Sequence, residues 1–307
     1  MSEQIEEIVS KIPVINRLVC FLKRIRLGKK SFSLYDLLEL YILGIVKGAL
    51  TYRASAISYS FFVAIFPFLL FILNLIPYVP ISDFQNDFWV FIDDLLPPGT
   101  HEFFADIFFD IAGKRRAGLL SSVFLLSIFL MTNGISAIFG GFEYSYHVTI
   151  TRNFVRSYLI AAGVAIILAL ILLAVVALFI YYEVYIVPYM TNTGFFSSSE
   201  SLLYWSKIGL IVLIMYFATS ILFFFGTSEG RFSRFFSTGS FFTTILFGLT
   251  TYLFGLYIEN FSQYNQLYGS IGALLIFLFY IWLNSNILLL GFELNATLLR
   301  LRENDNK

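Results

Sequence analysis

The sequence predicts an all-α integral membrane protein: a bundle of six transmembrane helices, with an N-terminal interfacial amphipathic helix and short outer-face helices between spans one and two. Two observations carry this. Six stretches, 54–82, 117–142, 157–182, 208–228, 235–258 and 260–292, contain no Asp, Glu, Lys or Arg, although twenty acidic and twenty basic residues are spread through the rest. A helix needs about 20 mostly apolar residues to cross a hydrocarbon core of about 30 Å, and each stretch is long enough. The charged fraction is 13%, whereas a soluble protein has about a quarter of its residues charged, and the deficit falls in those stretches. Spans are expected near 54–77, 118–141, 159–182, 208–226, 240–258 and 271–291. They form one membrane domain, 33–300, between a cytoplasmic segment, 1–32, and a cytoplasmic tail, 301–307.

Before the first span, Ser33 and Asp36 have the spacing of a capping box, and Leu34, Leu37, Leu38, Tyr41, Ile42 and Ile45 recur with helical period. Asp36, Glu39 and Lys47 make a crossing of the bilayer centre costly, which places this helix at the interface beneath the bundle. Between spans one and two, Ser82 and Gln85 suggest a cap, after which Phe84, Phe88, Phe91 and Leu95 share one face. A second helix follows the break at Pro97-Pro98-Gly99, with Phe103, Phe104, Ile107, Phe108 and Ile111 apolar. Interfacial helices that bind anionic lipid are usually basic, and both of these are acidic. They are therefore expected to fold down on the bundle as a cap.

Short cytoplasmic loops hold an excess of Lys and Arg. With the N-terminus inside, sixteen of the twenty basic residues fall on the cytoplasmic side; Lys114, Arg115, Arg116 and Lys207 fall outside. Both termini are thus expected in the cytoplasm, and Glu3, Glu6 and Glu7 make the start unlike a cleavable secretory signal. The formal net charge is zero, which removes the basic excess that nucleic acid would call for. Cys20 is the one cysteine and His101 and His147 the two histidines, so no intrachain disulfide, metal site or cofactor is expected.

Polar groups inside spans are the candidates for chemistry, because each must face the bundle or water. Span one has Arg53, Tyr59 and the mid-helix Pro67, whose missing N–H frees a carbonyl. Span two carries Asn133 and ends at Glu143, with Arg152 and Arg156 just beyond. Span six ends at Glu293 and Asn295, and Glu293 is expected near the cytoplasmic boundary, reaching water or pairing with Arg53, Arg152 or Arg156. Tyr252, Tyr257, Tyr264 and Tyr268 suit an interfacial belt or an outer vestibule. Small residues at four-residue spacing, Ala56, Ser60 and Ala64, then Ala161, Ala165 and Ala169, then Gly269 and Ala273, mark helix contacts.

Three separated motifs share a pattern. They are 52–59 running to Phe66-Pro67; 141–146 followed by Arg152 and Arg156; and Tyr264, 268–273, Trp282 and 291–296. In order and spacing this resembles the YihY/BrkB family of bacterial inner-membrane proteins, over about residues 35–300. Phe292 stands where that family usually has Ala, and Tyr146 takes the place of a Trp. The resemblance implies six spans in the cell inner membrane and links to envelope integrity. It also implies a transporter or lipid-translocating role with membrane lipids as partners, for which the polar groups collected in spans one, two and six suggest an intramembrane cavity lined by Arg53, Tyr59, Asn133, Glu143, Glu293 and Asn295. The other class of function is a scaffold that holds an envelope protein through segment 82–114. Some members are labelled ribonucleases, but two histidines and no ligand cluster predict that this chain is not an enzyme.

Overall fold

The computed structural model describes residues 33–75, 101–112, 117–148, 152–182, 199–228, 234–260 and 270–306, with isolated positions 21, 23, 24, 86, 89, 90, 93, 96, 186, 189 and 230. Eight helices make up the regular structure of these residues: α1 Leu34–Lys47, α2 Leu50–Leu75, α3 His101–Ala112, α4 Ala117–Glu143, α5 Phe154–Tyr181, α6 Ser199–Gly226, α7 Thr238–Asn260 and α8 Ser270–Asn306. The expected first outer-face helix and Tyr268 lie outside the described residues.

Helix α1 starts where its cap dictates. Ser33 N–H donates to Asp36 Oδ2 at 2.7 Å, and Asp36 N–H donates to Ser33 Oγ at 3.2 Å. At its end, Gly48 has an ordinary φ while Ala49 takes the positive φ of 47°. The glycine stands at 48 for space: a Cβ there would lie 2.5 Å from Gly44 O and 2.7 Å from Arg53 Nη2.

Among the described residues five helical segments are long and apolar enough to cross a membrane: Leu125–Glu143, Phe154–Val175, Ile208–Gly226, Thr238–Ile258 and Leu274–Leu301. Their outward faces carry exposed Leu159, Leu170, Leu178, Leu213, Ile245 and Leu253, apolar surface of the kind that lipid tails cover. Helix α2 has 26 residues, with Arg53 in its first turn and Pro67 inside. Helix α8 runs past the expected end of span six and through the tail to Asn306. The stretch from Leu298 to Glu303 holds good helix formers and neither Gly nor Pro, so nothing stops it at 291.

The six long helices form a closed ring. Helix α2 packs on α4 and α8, α4 on α5, α5 on α6, α6 on α7, and α7 on α8. Small residues set the closest approaches, as lipid-embedded packing requires. Ala161, Ala165 and Ala169 are buried along α5, and a Cβ on Gly134 would sit 3.3 Å from that of Ala64. Phe142 and Phe292 stack at 4.2 Å between centroids with Phe223 edge-on to both, so the bulk of Phe292 is taken up by the core. At one end α1 crosses α8 and the start of α2; at the other α3 lies on α2. Phe104 of α3 packs on Phe66 and Phe277, so this acidic helix does fold down on the bundle.

Candidate functional site

Under α1 the structure brings together two charges that are 240 positions apart in sequence. Arg53 Nη2 donates to Glu293 Oε1 at 2.6 Å, and Arg53 Nη1 donates to Gly141 O at 2.8 Å. Ser145 Oγ donates to the other carboxylate oxygen at 2.8 Å. Glu293 is fully buried and Arg53 is 7% exposed. The expectation that Glu293 reaches water is therefore corrected: α1 covers it, and each oxygen has a donor from within the protein.

Gly44 makes that cover possible, since a Cβ there would lie 2.9 Å from Glu293 Oε2 and 2.8 Å from His147 Nε2. His147 Nε2 is 2.9 Å from Leu40 O and acts as the donor, a carbonyl being only an acceptor. Burial pushes the His147 pKa below the usual imidazole range, which favours the neutral ring. Tyr41 donates to Leu290 O at 3.1 Å, and its phenol is pushed up to about 12 by burial and by the Glu293 charge. Gly44→Ala should therefore loosen α1 at a cost of about 1–3 kcal/mol, the usual range for overpacking. Faster trypsin cleavage at Lys47 in the variant, with α8 still protected, is the expected observation.

The other sequence candidates go elsewhere. Glu143 interacts with the Arg152 backbone and the Ser157 hydroxyl, while the Arg152 guanidinium takes Phe225 O, Thr227 O and, at 3.2 Å, Ser228 Oγ at the end of α6. Asn133 accepts from Tyr158 OH at 3.1 Å, joining α4 to α5. Asn295 accepts from Gly239 N–H at 2.8 Å and donates to Ser237 Oγ at 2.7 Å, capping the start of α7. Tyr59 is exposed on the outside of the bundle. Pro67 O accepts from Ser127 Oγ, so α4 takes up a carbonyl at the proline. The single polar cavity expected from Arg53, Tyr59, Asn133, Glu143, Glu293 and Asn295 does not form: Arg53 with Glu293, Asn133 and Asn295 make separate bonds between helices, Glu143 turns to Arg152 and Ser157, and Tyr59 is exposed.

A cavity exists, but it is apolar and has other walls. A space of about 450 Å³ lies inside the ring, bounded by Ile57, Phe61, Leu222, Phe247 and Leu288 and closed at one end by Phe104 and Phe108 of α3. Its polar side chains among the described residues are Trp89, Thr219, Tyr280, Asn284 and Ser285. Three of these donate to their own helices: Thr219 to Met215 O, Asn284 to Tyr280 O and Ser285 to Ile281 O. A second space, of about 240 Å³, is bounded by Ala64, Met131, Leu168, Leu172 and Ile214. It shares Phe61, Ile65 and Ala218 with the first. The i, i+4 pair Tyr280 and Asn284 is the sequence signal that points this polar strip inward. For Gly44 and His147 no periodicity gave a sign.

Comparison with known proteins decides the family. The model described as "Virulence factor BrkB" matches residues 44–307, which takes in every long helix of the ring. The chain belongs to the BrkB family. Within reach of this BrkB-family chain is the ribonuclease-like protein YfkH of Bacillus subtilis (strain 168), 26% identical over 248 residues, 80% of this chain and 89% of the relative. A UPF0761 membrane protein of Psychrobacter sp. (strain PRwf-1) is 44% identical over 57 residues, which is 19% of this chain and 11% of that longer one. No solved structure matches.

Proposed function

We propose that this BrkB-family protein is a six-span transporter of the bacterial inner membrane, with both termini cytoplasmic, that takes lipid-like molecules into its central cavity and moves them across the bilayer. The observation that carries the reading is the apolar space of about 450 Å³ lined by helices of the ring and by α3. Ligand sites are concave, mostly apolar and furnished with a few polar groups, and this space fits that description. Helix α2 completes the six spans: it has 26 residues, and its one charge is neutralised by Glu293. The basic residues gather at the α1 end, and the excess of Lys and Arg in short cytoplasmic loops supports a cytoplasmic α1 end with α3 outside.

The Arg53–Glu293 pair serves as a lock between α2 and α8, since each charge is met by the other and by protein hydrogen bonds. A scaffold holding an envelope partner would call for a solid core, and the cavity speaks against it. The chain is read as a non-enzyme: His147 is engaged with Leu40 and His101 with Asp93, which leaves neither ring poised beside a nucleophile.

The test uses the full chain in liposomes with a fluorescent phospholipid and a membrane-impermeant quencher. Faster transbilayer movement than in protein-free liposomes is expected, and Ala218→Trp, which fills the space between the two cavity regions, should slow it by about tenfold or more. Movement no faster than in empty liposomes would overturn the reading.

A further inference from the structure

We infer that the cavity is built for a lipid with two hydrocarbon chains, one in each of its two lobes. This rests on the lipid reading above and names the class of substrate. Three observations lead to it.

The first is the division of the space. The larger lobe, about 450 Å³, is framed by α2, α3, α4, α6, α7 and α8; the smaller, about 240 Å³, by α2, α4, α5 and α6. They adjoin along Phe61, Ile65 and Ala218, which form walls of both. Two chains joined at one end would place one chain in each lobe, on either side of these shared walls.

The second is the chemistry of the smaller lobe. Its walls among the described residues are Phe, Ala, Ile, Met, Gly and Leu, with no polar side chain. An unmet donor or acceptor placed there would forfeit its hydrogen bonds to water, so the lobe accepts hydrocarbon and rejects a headgroup. The third is the larger lobe, where the polar side chains among the described residues are a strip on α8 and α6 and the Trp89 indole. Asn284 donates one N–H to Tyr280 O, which leaves its second N–H and its Oδ1 unspent on the helix; Ser285 Oγ, donating to Ile281 O, keeps its lone pairs. This strip suits neutral ester groups where two acyl chains meet a glycerol. Among the described residues neither lobe is lined by a charged side chain, and Arg53 and Glu293 are bound to each other, so these walls offer a charged headgroup no counter-ion.

The experiment compares two probes with the same headgroup, dioleoyl phosphatidylglycerol and its one-chain lyso form, titrated onto the detergent-purified full chain and followed by native mass spectrometry. The two-chain lipid should bind at least about tenfold more tightly, since the second chain adds buried hydrocarbon. Leu172→Trp on α5 and Ile214→Trp on α6 each fill the smaller lobe from a different helix, so failure of one variant to fold leaves the other. Both should remove the preference by weakening the two-chain lipid alone. Equal binding of the two probes by the natural chain, or equal loss of both in the variants, overturns the two-chain inference while lipid uptake stands. Binding of neither probe overturns both.

Discussion

Replacing Glu293 with Ala is expected to be the most damaging single substitution in the protein, costing about 3–5 kcal/mol, because it leaves Arg53 charged and buried with no counter-ion. Arg53→Ala should cost about as much for the mirror reason. The measurement is thermal unfolding of the detergent-purified protein, together with the yield of folded chain. The double variant Arg53→Met with Glu293→Leu separates the strength of the pair from the penalty of breaking it. Replacement of a whole buried pair by apolar residues is often neutral or stabilising by about 1–4 kcal/mol, so the double variant should recover most of the loss. Ser145 Oγ also loses its acceptor in that variant, which sets a limit on the recovery. A double variant as unstable as either single one would mean that the two charges do not act as a pair. If the single variants fold normally and abolish lipid movement instead, Arg53 and Glu293 belong to the transport path.

Gly291→Ala is the second. A Cβ at 291 would fall 1.7 Å from Thr243 Oγ1 and 2.9 Å from Gly239 O, where α7 and α8 cross. Thr243 is fully buried, and its hydroxyl is held by Gly239 O at 2.8 Å, so the obstruction is not the loose end of a flexible chain. The expected cost is about 1–3 kcal/mol or more, seen as a lower unfolding temperature. Thr243→Ala removes the obstructing oxygen, and adding it to Gly291→Ala should return part of the stability. Non-additivity of that sign is the check, because residues in contact couple where distant ones do not. An unchanged cost in the double variant would mean that the helix backbones, and not the hydroxyl, set the distance.

Helix type and order were legible in the sequence because charge is expensive in hydrocarbon, and its absence is visible residue by residue. The cap at Ser33 and the apolar face of α3 could be read for a similar reason: a short local pattern has one physical cause. Partner choice was not local. Glu293 had three basic options by composition, Arg53, Arg152 and Arg156, and only the ring closure of α2 against α8 selects Arg53. The same long-range packing turned Asn133 and Asn295 into helix ties, although their residue types suited a substrate path equally well. The cavity was misread as polar because polar residues are the conspicuous ones in an apolar sequence. The real walls, Ile57, Phe61, Leu222 and Phe247 among them, look like any other lipid-facing residues until the helices are placed.

The lock between α2 and α8 also has a timetable. Arg53 leaves the ribosome 240 residues ahead of Glu293, and at a synthesis rate of about 5–20 residues per second that is a wait of roughly 12 to 48 seconds. Throughout that interval the first long helix has its guanidinium without the carboxylate that will neutralise it, so it cannot settle at its final depth. Until α8 arrives, Arg53 must be kept near water or held by the insertion machinery, and the ring closes last where it began. A chain truncated before residue 293 should therefore be recognised as unfinished by quality control, however many of its helices have already entered the bilayer.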